Sequence, residues 1–213
     1  MDKAISRRAE EKLNRINQIR DTAERLFAQK GFFNFTMKEL ARKAEFALGT
    51  IYSYFQSKSQ LYDTLIEGKT RELVNFVSEQ VMSETTITKQ LEKFIEAKLT
   101  FFHQNPDFIR LYFSETYTAP GQSQPAVFRL QQQRAALSAR LTEILERGIK
   151  DGTLIPVDAK TLTRVLMGLT DGFVFSWIEA VPEKSLAIEL KIAKHIFLDG
   201  VLLKPRAVKE DYL

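Results

Sequence analysis

Twice between residues 35 and 60 the chain carries the signature that starts a helix. In FTMKELARKA, Thr36 and Glu39 have capping-box spacing, and Phe35 with Leu40 can staple the first turn; in QSKSQL, Ser57 and Gln60 repeat the spacing. The segment between them holds two helices of about two turns each, separated by the break at Glu45-Phe46-Ala47. Upstream, Ile16, Ile19, Ala23, Leu26 and Phe27 form one helical stripe that stops at Gly31, the residue type favoured in a left-handed helix terminus. Downstream, a helix should run from Lys58 into the low eighties. Punctuation this dense allows three short helices and the start of a long one over residues 13–80.

The rest of the chain also reads at helical period, with no sustained strand alternation. Helices are predicted over about 86–104, 107–117, 125–151, 159–180 (with Asp158 as N-cap) and 186–202. APGQSQP is the loop-rich stretch, and KPRAVKEDYL reads as a tail. The expected fold is all-α with about nine helices: a three-helix N-terminal domain over 1–60, a larger helical domain over 61–204, and a tail over 205–213.

The last two long helices each carry two apolar stripes. Leu162, Leu166, Leu169 and Phe173 share one face of the first, beside Val165, Gly168, Gly172 and Phe175; in the second, Leu186, Leu190, Ala193 and Phe197 stand beside Ile188, Ile192 and Ile196. A surface helix needs one such stripe. Two predict burial on two sides, against the chain's own core and against a partner. Leu162, Val165, Gly168, Gly172, Ile188, Ile192 and Ile196 are the expected interface residues.

Charge is distributed unevenly. The net +4 divides into 12 Lys and Arg against 7 Asp and Glu in residues 1–60, and 19 against 20 in the remainder. A basic first quarter on a neutral body is the footprint of an anionic partner, nucleic acid before all. The absence of Cys excludes disulfides, thiolate metal sites and a Cys nucleophile. Two isolated histidines and scattered glycines suggest neither catalytic nor metal-binding residues, so neither enzyme activity nor a cofactor is expected. With no apolar run of membrane length and no signal-like N-terminus, the expected location is cytoplasmic, without a membrane partner.

The second short helix, ALGTIYSYF, is oddly dressed: Ile51 and Phe55 can be buried together, which turns Leu48, Gly49, Thr50, Tyr52, Ser53 and Tyr54 outward. Two short helices joined by a tight turn in a basic region make a helix-turn-helix, whose second helix lies in the DNA major groove. Gly49 and Ser53 let the backbone approach, hydroxyls of Thr50, Tyr52 and Tyr54 suit phosphates, and Leu48 and Ser53 are placed to read bases. Thr36 and Lys38 join them from the first helix, and Lys58 is placed to hold a phosphate at the start of the next.

FTMKELARKAEFALGTIYSYFQSKSQLYDTLI resembles the DNA-binding domain of the TetR/AcrR regulators. Thr36, Leu40, Ala41, Ala44, Gly49, Thr50, Ile51, Tyr52, Tyr54, Phe55, Ser57, Lys58 and Leu61 match that family's pattern. Three positions depart from it: Glu45 replaces a turn glycine, Ala47 replaces a capping serine, and Ser59 replaces an acidic residue. The resemblance implies a homodimeric repressor on palindromic operator DNA, released when a small molecule binds the helical body. Phe108, Tyr112, Phe128, Arg129, Gln132 and Trp177 are the pocket residues it suggests, for an effector that is largely apolar and otherwise open. Two alternatives stay open: a helical interaction or membrane-surface module without sequence-specific DNA binding, and a nucleoid-type DNA binder.

Overall fold

The computed structural model describes the backbone of residues 2–116, 125–179 and 186–203, and the side chains of 7–113, 131–178 and 186–203. Among these residues the chain forms nine α-helices and no strand: α1 Asp2–Lys30, α2 Met37–Lys43, α3 Leu48–Tyr54, α4 Lys58–Met82, α5 Ile87–Gln104, α6 Pro106–Thr116, α7 Pro125–Lys150, α8 Ala159–Glu179 and α9 Leu186–Val201. The expected tail over 205–213 lies outside the described residues. No helix among them is long and apolar enough to cross a membrane.

The helices gather into two compact units that cut across the boundary expected at residue 60. The first comprises Met1–Val74 and Gln104–Arg134, the second Asn75–His103 and Ala135–Leu213. The amino half of α4 and the whole of α6 thus belong with the N-terminal helices, and α6 packs on α1.

In the first unit the core is aromatic. Phe27 meets Phe35 edge-on at 4.5 Å and Tyr62 at 4.7 Å, around the fully buried Ile19, Leu40, Ile51 and Leu61. Such edge-to-face pairs contribute beyond their buried area. The first helix is the main departure from the sequence reading. It is not short: it begins at Asp2, well before its first buried residue, Ile19. Gly31, at φ +72°, ends it, with its N–H donated to the Phe27 carbonyl at 2.8 Å.

The caps are half as expected. Thr36 Oγ1 accepts from the Glu39 N–H at 3.2 Å, but the Glu39 carboxylate does not return; it accepts from Lys30 Nζ at 2.7 Å. That hydrogen bond holds its carboxyl below the usual range. Ser57 caps Gln60 at 3.0 Å, and the Gln60 side chain reaches back one residue further than the box requires, to the Gln56 N–H.

The turn after α2 closes with Phe46 N–H on the Ala41 carbonyl at 3.0 Å, a six-to-one bond that puts Glu45 at φ 61°. This is the Schellman geometry, whose left-handed residue is usually glycine. A side chain there is strained, so Glu45→Gly is expected to raise stability by roughly 1 kcal/mol. Chemical denaturation checks it, and a loss of stability would mean the glutamate supplies a compensating contact. Ala47 N-caps α3 and supplies no side-chain acceptor.

The second unit packs α8 on α9 and buries Phe94, Leu99, Phe102, Leu145, Leu166 and Val174. A Cβ on Gly148 would sit 2.7 Å from Ile87 and Leu154, so this helix position needs a glycine for close approach. Leu154 bridges antiparallel to Leu202, with Ile155 N–H on the Val201 carbonyl at 2.8 Å; no alternation in the sequence announces this pairing. One ion pair lies in the core. Lys98, 0% exposed, donates to Asp171 Oδ1 and Thr170 Oγ1, each at 2.7 Å.

Candidate functional site

α3 is held from beneath and bare above. Ile51 and Phe55 are buried against the first unit's core, while Leu48, Gly49, Tyr52 and Ser53 are exposed and Thr50 and Tyr54 half-buried. Leu48 and Tyr52, four residues apart, share one outward ridge. Ser53 Oγ donates to the Thr50 carbonyl at 2.7 Å and keeps its lone pairs outward as acceptors. From α2, Lys38 is exposed, and Thr36 is exposed although its Oγ1 is engaged as the cap. Arg42 and Lys43, missed in the sequence reading, are also exposed. Arg42 follows Lys38 at i+4, opposite the buried Met37, Leu40 and Ala41; that spacing could have found it.

Lys58 corrects an expectation. Its ammonium does not stand clear at the start of α4: Nζ donates to the Phe35 carbonyl at 2.6 Å and lies over the Phe32 and Phe35 rings, 4.8 and 4.7 Å from their centroids. Burial lowers its pKa. Lys58 therefore ties the start of α4 to the α1–α2 loop. Lys58→Ala is expected to destabilise the protein by about 1–3 kcal/mol, since the Phe35 carbonyl loses its partner. Thermal melts check it, and an unchanged midpoint would show the ammonium to be free in solution.

The paired stripes of α8 and α9 separate cleanly. Leu166, Ala193 and Phe197 are buried, while Val165 is 52% exposed, Ile188 50% and Ile196 55%; Ile192, Gly168 and Gly172 are exposed as well. Leu162 departs from the expected set, because it is buried in the chain's own core with Leu166.

A cavity of about 350 Å³ opens between α4, α5 and α7 in the second unit. Val77, Val81, Phe94, Leu137, Leu141 and Ile144 form its apolar wall. Arg140 donates to Ser78 Oγ at 2.8 Å and Arg147 to Gln90 Oε1 at 3.0 Å along its edge. Of the six suggested pocket residues, none of the four whose side chains are described lines it. Phe108 and Tyr112 are buried in the first unit, with Arg134 over the Tyr112 ring at 5.2 Å. Trp177 donates to Glu189 Oε2 at 2.7 Å, and Gln132 is exposed. The side chains of Phe128 and Arg129 lie outside the described residues.

A short capped helix, a six-to-one turn and a second short helix with an exposed hydroxyl-rich face define a helix-turn-helix protein of the DNA-binding class. Residues 19–65 match the model of the bacterial regulatory proteins of the tetR family, and residues 84–180 match the tetracyclin repressor-like C-terminal domain. The two matches together span well over half of the 213 residues. The chain belongs to the tetR family of transcriptional regulators. It is 24% identical over 170 residues to the HTH-type transcriptional regulator YhgD of Bacillus subtilis, covering 80% of this chain and 87% of YhgD. It is 25% identical over 154 residues to the nucleoid occlusion factor SlmA of Mannheimia succiniciproducens, covering 69% of this chain and 68% of SlmA. The same fold occurs in the transcriptional regulator FadR of Bacillus subtilis, solved in complex with stearoyl-CoA; the TM-score is 0.71 at 20% identity, covering 86% of this chain and 97% of FadR.

Proposed function

We propose that the protein is a cytoplasmic homodimeric repressor that holds a near-palindromic operator and lets it go when a small, largely apolar ligand binds. The observation that carries this reading is the bare face of α3, where Leu48, Gly49, Tyr52 and Ser53 are exposed above a fully buried Ile51. Side chains of this kind are well suited to base edges and phosphates. Thr36, Lys38, Thr50 and Tyr54 flank them. The exposed stripes of α8 and α9 suit a two-fold interface, and a two-fold dimer imposes a two-fold site on the DNA. Sequencing the genomic fragments retained by the protein tests it: a shared near-palindrome is expected, and an unselected set would contradict it.

The cavity between α4, α5 and α7 supports the ligand half of the reading, with an apolar wall and a few polar groups at its edge. FadR, of the same fold, was solved with stearoyl-CoA, an apolar chain on a polar head. A ligand can release DNA only by binding the DNA-incompetent dimer more tightly, and operator must then weaken ligand binding by the same factor. Val81→Phe, which fills the cavity wall, is expected to abolish release while leaving operator affinity unchanged. Release at an unchanged ligand concentration would place the effector elsewhere.

One observation favours a second reading. The likeness to SlmA, named a nucleoid occlusion factor, fits the same α3 working as a nucleoid-type binder with many chromosomal sites. Retained fragments distributed over much of the genome, with no response to ligand, would favour it.

A further inference from the structure

α1 overshoots the domain it belongs to. Its first buried residue is Ile19, yet the helix starts at Asp2, and residues 7–15 are exposed throughout. Continuing the buried line of Ile19, Ala23 and Leu26 backwards at helical spacing leads to Arg15, Lys12 and Arg8, all within about 60° of arc. Where a packed helix would keep apolar residues, this one carries three cations. Glu10 lies on the opposite side, and Glu11, at the margin, is occupied by Arg7 at 3.1 Å.

The base of the overhang is fixed beside the reading head. Gln18 Nε2 donates to the Ala44 carbonyl at 3.2 Å, in the turn that leads into α3. From there to Arg8 the helix projects about 15 Å, at about 1.5 Å per residue. Arg8 to Arg15 spans about 10 Å, which matches three intervals between successive phosphates of one strand at about 3.4 Å of axis each.

We infer that the amino-terminal overhang of α1 is a second DNA-contacting element, whose Arg8, Lys12 and Arg15 grip the phosphate backbone beside the groove that α3 enters. It rests on the DNA-binding reading and adds to it a sequence-independent clamp outside the helix-turn-helix. Leu13, 56% exposed, and the half-buried Ile16 flank the stripe on one side only. That apolar face is too narrow to enter a lipid surface or seat a helix of a partner protein, and Glu10 and Glu11 oppose an anionic one.

The test is the salt dependence of binding to a retained genomic fragment and to a random-sequence duplex, for wild type and for Arg8→Ala/Lys12→Ala/Arg15→Ala. Six cations per dimer carry a slope of about five, at about 0.9 per phosphate, so the variant should lose roughly a thousandfold less affinity than wild type between about 50 and 200 mM salt. Its preference for the retained fragment over random duplex should persist, as should its thermal midpoint and dimeric state. Arg8→Lys/Arg15→Lys should keep the wild-type slope, and deletion of residues 2–15 should reproduce the triple variant. A triple variant with the wild-type slope overturns the clamp and leaves the α3 reading intact. Lost preference with an unchanged slope also overturns it, since the residues would then read bases. A wild type that binds neither duplex removes both.

Discussion

Asp171→Leu is expected to destabilise the protein by about 3–5 kcal/mol, the cost of breaking a buried ion pair by removing one partner. Lys98 is fully buried, and its ammonium meets the Asp171 carboxylate at 2.7 Å, so solvent cannot take over when the carboxylate goes. Lys98→Met should also destabilise the protein, by taking the ammonium away from a buried carboxylate. The double variant Lys98→Met/Asp171→Leu should recover most of the loss, because an apolar pair of similar volume is often as stable as the ion pair it replaces. The three variants with wild type form a cycle in denaturant unfolding, and a coupling of several kcal/mol is the expected result. Additive losses would mean that the two charges do not depend on each other.

The second large effect concerns assembly. Ile192→Asp/Ile196→Asp is expected to leave each subunit folded and to abolish the dimer. Both residues are exposed in the single chain, where substitutions usually change stability by no more than about 0.5 kcal/mol. Across a two-fold interface the same change places two carboxylates against their symmetry mates in an apolar patch. Sedimentation should show monomers, and operator affinity should fall at least about 100-fold as the second half-site stops helping the first. A variant that remains dimeric would move the interface away from α8 and α9.

Periodicity and caps made much of this fold legible before any coordinates. α8 and α9 showed two apolar stripes each, and in each pair one is buried or half-buried and the other exposed. Gly31, Thr36 and Asp158 end or start helices where their chemistry says they should. Leu162 stands on the buried stripe with Leu166 yet was counted among the interface residues, because Val165 lies only one turn away and periodicity does not say which edge of a wide apolar face meets the core. The overhang of α1 was not placed because its apolar residues, Ile5, Ala9, Leu13 and Ile16, are interleaved with four cations and two glutamates and have no capping box before them. The contacts of Lys58 were hidden for a different reason. Its partners, the Phe35 carbonyl and the Phe32 and Phe35 rings, lie more than twenty residues earlier and come close only when the chain folds. The cavity has the same character: α4, α5 and α7 supply its wall from three separate stretches, none conspicuous alone.

The two readings of function share a reading head and differ in selectivity. α3 with Leu48, Tyr52 and Ser53 outward supplies contacts that distinguish bases, and cations such as Lys38 and Arg42 supply contacts that do not. The measurement that separates them is a competition titration at near-physiological salt between a retained genomic fragment and a shuffled duplex of the same composition. A sequence-specific dimeric regulator predicts a preference of about 10³ or more for the retained fragment, reduced sharply by Tyr52→Ala. Equal affinity for the two duplexes, unmoved by Tyr52→Ala, would contradict it.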